Sequence, residues 1–167
     1  MSKKGYLTSA EYKALRQLLG FSQAEAAAFH KVQNLRTIQR WESGASWPSE
    51  LACDKMCALA EQIDWSIDQA VKQFSQFRPD EVEVTLIVYP DECYRKFVAN
   101  MGDLPNSVHR SMISRTYALL RKKGYSAGVV EFNVQDYFSY LATHGMTDGQ
   151  DARAAWASDY RGRLLMN

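Results

Sequence analysis

Residues 22–44, Ser-Gln-Ala-Glu-Ala-Ala-Ala-Phe-His-Lys-Val-Gln-Asn-Leu-Arg-Thr-Ile-Gln-Arg-Trp-Glu-Ser-Gly, constrain the fold more than any other stretch. They spell two short helices around a tight turn. In the second helix Arg36 and Arg40 share one face while Ile38 and Trp41 share another, the pattern of a helix packed on a core along one side only. Ser22 and Glu25 have the spacing of a capping box, in which each side chain satisfies an orphan backbone N–H, and Phe21 can staple onto the first turn. Asn34 is a suitable N-cap, able to accept from the N–H of Arg36 or Thr37. Gly44 sits where that helix should end left-handed, and Pro48 bars a quick return to helix. Thr8 and Glu11 predict a further capping box upstream, on a helix ended by Gly20. Ala24, Ala26, Ala27 and Ala28 are small enough to let the two helices cross closely.

The segment from Leu15 to Ser49 resembles the Cro/cI-repressor type of helix-turn-helix domain, with Ser22-Gln23 opening helix 2 and Trp41-Glu42-Ser43-Gly44 closing helix 3. The likeness continues through a helix 4 expected over Ser49 to Ile63 and a helix 5 over Ser66 to Phe77. The resemblance implies a mainly α chain: a five-helix lambda-repressor-like DNA-binding domain over residues 1–78, then a smaller α/β dimerisation or interaction domain over 79–167. It also implies roles. Gln23 matches the glutamine that touches the DNA backbone, Arg36, Thr37 and Arg40 match base-reading positions, and Arg16 and Glu42 match an ion pair between helices 1 and 3. Ser22, Lys31 and Gln33 would position the backbone, and Asn34, Leu35 and Gln39 complete the expected DNA-binding set. Arginines reaching base edges favour guanine O6 and N7. The chain departs from the family once. Between Ser22 and Trp41 it has one extra residue, within His30-Lys31-Val32-Gln33, and that turn holds no glycine.

Net charge is only +1 but unevenly spread. Residues 1–48 hold seven Lys and Arg, including Lys3 and Lys4, against three Glu, giving +4, whereas residues 49–84 hold three against eight acids, giving −5. A basic face with an acidic layer behind it would orient a protein on phosphates. There is no apolar run of the ~18 residues a membrane helix needs and no signal-peptide core. Three cysteines are too few for a disulfide scaffold, so the cytoplasm is the expected compartment.

After Pro79 the character changes. Val82 to Tyr89 is strand-like, Asp91 to Asn100 reads as a helix, and Asn106 opens a long helix ended by Gly124. Tyr125 to Phe132 reads as a second strand, Asn133 and Asp136 cap another helix broken at Gly145, and a last helix spans about Asp148 to Leu165. The strands are expected to pair in parallel through a crossover, or else across a dimer, since two strands are marginal alone. Val84 to Tyr89, Ser107 and His109, the Tyr117 helix and Gly124 to Phe132 are similar to phage anti-CRISPR-associated helix-turn-helix regulators and uncharacterised bacterial relatives. That likeness implies a C-terminal region that holds a dimer together.

Other groups have plainer explanations. Cys53 and Cys57 are four residues apart, which could supply half a metal site, but no second Cys/His pair accompanies them. His109 and His144 belong to no recognisable nucleophile-base arrangement, and His144 suits a helix C-terminus. Asp91 and Glu92 are first-turn acids, and Arg121, Lys122 and Lys123 lie at a helix end. Tyr137, Phe138, Tyr140, Trp156 and Tyr160 have helical spacing and read as core or dimer interface. The sequence thus predicts no enzyme, no metal or cofactor and no small-molecule ligand. It predicts a homodimeric transcription regulator, of repressor type, on double-stranded DNA. The competing reading is an antitoxin-like module whose C-terminal half binds a partner protein.

Overall fold

The computed structural model describes residues 7–98 and 101–166, so Lys3 and Lys4 of the basic segment and Asn100 at an expected helix end lie outside the described residues. The chain is mainly helical with one small sheet. In order it forms α1 (Ser9–Leu18), α2 (Gln23–His30), α3 (Leu35–Glu42), α4 (Glu50–Lys72), β1 (Glu83–Val88), α5 (Asp91–Phe97), α6 (Asn106–Lys122), β2 (Ser126–Glu131), α7 (Val134–His144) and α8 (Gln150–Met166). No described helix is long and apolar enough to cross a membrane.

The expected caps form. Thr8 with Glu11 and Ser22 with Glu25 make reciprocal capping boxes at α1 and α2, and the Asn34 side chain accepts from the Arg36 N–H at 2.8 Å. The expected pair of helices over Ser49–Ile63 and Ser66–Phe77 is instead the single helix α4. The reason is local. The Ser66 hydroxyl does not cap a new helix; it donates back to the Gln62 carbonyl at 2.9 Å, and no glycine or proline interrupts the run. Ile63, Ile67 and Val71 carry the buried stripe straight through the expected break.

The chain divides into two compact units that are not contiguous blocks meeting at residue 78. One comprises residues up to Gln69 with Asp103–Met112, the other Ala70–Gly102 with Ile113 onward. In the first, α1 to α4 bury Tyr12, Leu19, Phe21, Ile38, Trp41, Met56 and Ile63, and the start of α6 contributes fully buried Val108. Ser111 donates to the Leu18 carbonyl at 2.6 Å and Ser107 to Glu25 at 2.8 Å. Gly20, at φ +85°, is needed twice over: a Cβ there would meet the Ser107 carbonyl and, at 2.8 Å, the Ser111 side chain.

In the second unit β1 and β2 pair in parallel within the chain, from Glu83 beside Ser126 to Val88 beside Glu131. α8 packs on both strands. Phe132 sits at the centre of an aromatic core, 4.7 Å from Phe97, 4.9 Å from Tyr89 and 5.1 Å from both Tyr137 and Trp156. Those aromatics close on one another in a single buried cluster. Of the aromatics expected in core or interface, Tyr137 and Trp156 are fully buried, while Phe138 is 43% exposed.

Candidate nucleic-acid interface

α3 has two unlike sides. Ile38 and Trp41 are buried, Trp41 edge-on to Tyr12 with ring centroids 5.4 Å apart. Arg36, Gln39 and Arg40 are exposed, Thr37 is half-buried, and Leu35 at the start of the helix is exposed. Among the described residues, the Arg36 and Arg40 side chains have no ion pair or hydrogen bond. One helical turn separates them, so two cations project side by side from a helix anchored by its opposite face.

The anchor is a polar knot. Arg16, on α1, is buried and pairs with Glu42 at the end of α3, through its Nε and, at 3.3 Å, its Nη2. Its Nη1 donates to the Phe21 carbonyl, fixing the link between α1 and α2 to the same point. Burial alone would raise the Glu42 carboxyl, but the bonds from Arg16 and Gln23 outweigh it and hold the group below its ordinary value. Gln23 is the surprise. Its side-chain amide donates to Glu42 at 2.9 Å, so this expected DNA contact also bridges α2 to α3.

The turn resolves its missing glycine with a lysine. Lys31 takes the left-handed conformation at φ +56°, the one non-glycine residue to do so among those described. With it, the Val32 N–H reaches the Ala27 carbonyl at 3.0 Å and Lys31 its own bond to Ala28 at 3.0 Å, closing α2. The Lys31 and Gln33 side chains are exposed, as are Ser22 and Asn34. Thus the expected set falls along one run, from the start of α2 through the turn and outward face of α3.

One residue of this region was not legible as important. His30 lies between Tyr12 (5.9 Å) and Trp41 (5.7 Å), and neither ring nitrogen has a hydrogen-bond partner among the described residues. Burial, with Lys55 adding to it, pushes its pKa down to about 4. Three of the other singled-out groups make contacts of their own. Cys53 is buried and its sulfur accepts from the Leu7 N–H at 3.5 Å, His144 caps its own helix by contact with the Tyr140 carbonyl at 2.8 Å, and Arg121 lies 6.0 Å from the Tyr117 ring. No family model and no curated protein matches this chain in sequence.

Proposed function

We propose that the protein is a sequence-specific DNA-binding regulator of transcription, a repressor that binds an inverted-repeat operator as a homodimer. The observation that supports it most is the pair Arg36 and Arg40, exposed and, among the described residues, without counter-charge on the outward face of a helix whose inward face is locked by Ile38, Trp41 and the Arg16–Glu42 pair. A helix held that way can enter the major groove without losing its own anchorage. One such helix reads few base pairs, so two copies on half-sites about one helical turn apart would supply the specificity. Ser22, Gln23, Lys31, Gln33 and Asn34 stand where phosphates would flank the groove-bound helix, with Leu35, Thr37 and Gln39 beside the arginines.

The test is binding to a duplex selected from random sequence, compared with an unrelated duplex. Arg36→Ala or Arg40→Ala should cost about 1–3 kcal/mol on the selected site and little on the unrelated one. Equal losses on both would make that arginine a phosphate contact. Affinity should fall steeply with salt as counterions are released, and a flat salt response would refute DNA binding altogether.

A further inference from the structure

The outer face of α4 carries a surface that DNA recognition does not use. Leu51 and Trp65 are 65% and 64% exposed, and Ala58 between them is also open. Trp47, just ahead of the helix, is 67% exposed. Leu51, Ala58 and Trp65 recur every seven residues, so they form one stripe along the helix, opposite buried Met56, Ile63 and Ile67. Two large apolar side chains left open along one helix face, with a small alanine between them, give a partner helix an apolar anchor at each end.

The charges beside the stripe select its occupant. Asp54, Glu61 and Asp68 follow Leu51, Ala58 and Trp65 at three residues' distance, and all three are exposed. Glu50 and Asp64 extend that acidic edge, and Lys55 is the only cation from residue 50 to 69. When two helices pair through residues seven apart, the residues three further on form the second row of the seam. A second copy laid parallel would therefore set Asp54, Glu61 and Asp68 against themselves. Laid antiparallel about Ala58, it would bring Asp54 beside the other copy's Glu61. Either way, like charges meet. DNA phosphates are repelled by the same edge.

We propose that this face docks a basic amphipathic helix of another protein. The partner's apolar residues would cover Leu51, Ala58 and Trp65, and its Lys or Arg side chains would meet Asp54, Glu61 and Asp68. Ala58, the smallest of the three, leaves room for the partner backbone to approach. Every residue invoked belongs to the first compact unit, so the surface is complete within it.

A synthetic helical peptide of Leu and Lys in heptad pattern is the probe, with a Leu/Glu peptide as its counterpart, each titrated into the full-length protein by calorimetry and tryptophan fluorescence. Saturable one-to-one binding of the Leu/Lys peptide is expected, with a blue shift of tryptophan emission, weakening as salt screens the charges. The Leu/Glu peptide should not bind. Leu51→Ala with Trp65→Ala should weaken binding about tenfold or more while circular dichroism and melting stay unchanged. The triple variant Asp54→Lys, Glu61→Lys, Asp68→Lys should exchange the preference, taking the Leu/Glu peptide instead. Absence of saturable binding, or binding indifferent to these substitutions, overturns the proposal. So does sedimentation showing a full-length dimer that Leu51→Ala with Trp65→Ala dissociates, because the face then belongs to a second copy.

Discussion

Arg36 and Arg40 on α3 and Arg153, Arg161 and Arg163 on α8 are the same chemical group in opposite circumstances. On α8 each guanidinium is neutralised: Arg153 grips Asp148 with two bonds of 2.8 and 2.9 Å, Arg161 pairs with Glu83, and Arg163 holds both Asp136 and Asp159. Asp148 and Asp136 are held below the ordinary carboxylate range, first of all by their arginines. On α3 no acid answers either arginine among the described residues. An arginine whose charge is met inside the chain ties elements together; one left unmet on an anchored helix has its donors free for an outside acceptor. Arg16 belongs to the first kind although it lies in the same unit as the second.

The contrast can be broken hardest at Arg16. Its partner's side chain is 5% exposed and its own 9%, so Glu42→Ala strands a buried cation. A loss of about 3–5 kcal/mol is expected, seen as early melting of the first unit. Unchanged melting with collapsed DNA binding would move Glu42 to the DNA face. Acidity separates the units next. His30 and His109 both have folded pKa values of about 4, in each case from burial first, below the ~6.5 of an exposed imidazole. Between those values the unfolded chain binds protons that the folded one does not. Stability of the first unit is therefore complete above about pH 6.5 and falls as pH drops toward 4, at a limiting rate of about 1.4 kcal/mol per pH unit for each histidine. The depressed Asp136 and Asp148 act lower: their contribution is present above the ~3.9 of an unfolded aspartate and is lost as pH falls through the folded values. Hydrogen exchange at pH 7 and pH 5 should show the first unit loosening alone, and His30→Phe should flatten part of that response.

Arg153→Ala should destabilise the second unit by about 2 kcal/mol, since Asp148 and the Phe97 carbonyl both lose a charged donor. Denaturant melts of Arg36→Ala and Arg40→Ala should stay within about 0.5 kcal/mol of the parent, and a larger loss would end the distinction between the two sets of arginines. The smallest effect is at Lys31. Glycine relieves its left-handed backbone, so Lys31→Gly should raise stability by roughly 0.5 kcal/mol or leave it level while weakening DNA binding through the lost cation. Weaker stability would mean that the turn depends on the lysine side chain.

The caps of α1, α2 and α3 were legible because a capping residue and its target lie two or three positions apart, within reach of sequence reasoning. The outward arginines were legible from periodicity for the same reason. Ser66 misled, because a hydroxyl can serve a new helix or the carbonyl four residues back, and only the continuing stripe of Ile63, Ile67 and Val71 decides between them. Gln23's bond to Glu42 and the burial of His30 join residues far apart in the chain, and no local pattern encodes them. The acidic heptad face of α4 was not legible, because the expected break between Ile63 and Ser66 separates Trp65 and Asp68 from Leu51 and Ala58, and its openness depends on what the rest of the unit leaves uncovered.

The way the two units share the chain bears on how the protein is made. The first unit draws on Ser107, Val108 and Ser111, which follow β1 and α5 of the second, while the second takes residues on both sides of that insertion. During synthesis the helices around the arginines are finished early but stay open at Gly20 and Leu18 until α6 emerges from the ribosome. β1 waits longer still, because its parallel partner and the covering α8 come later. No single cut releases either unit whole. Moving the arginine-bearing helices into another protein would have to carry the start of α6 along with them.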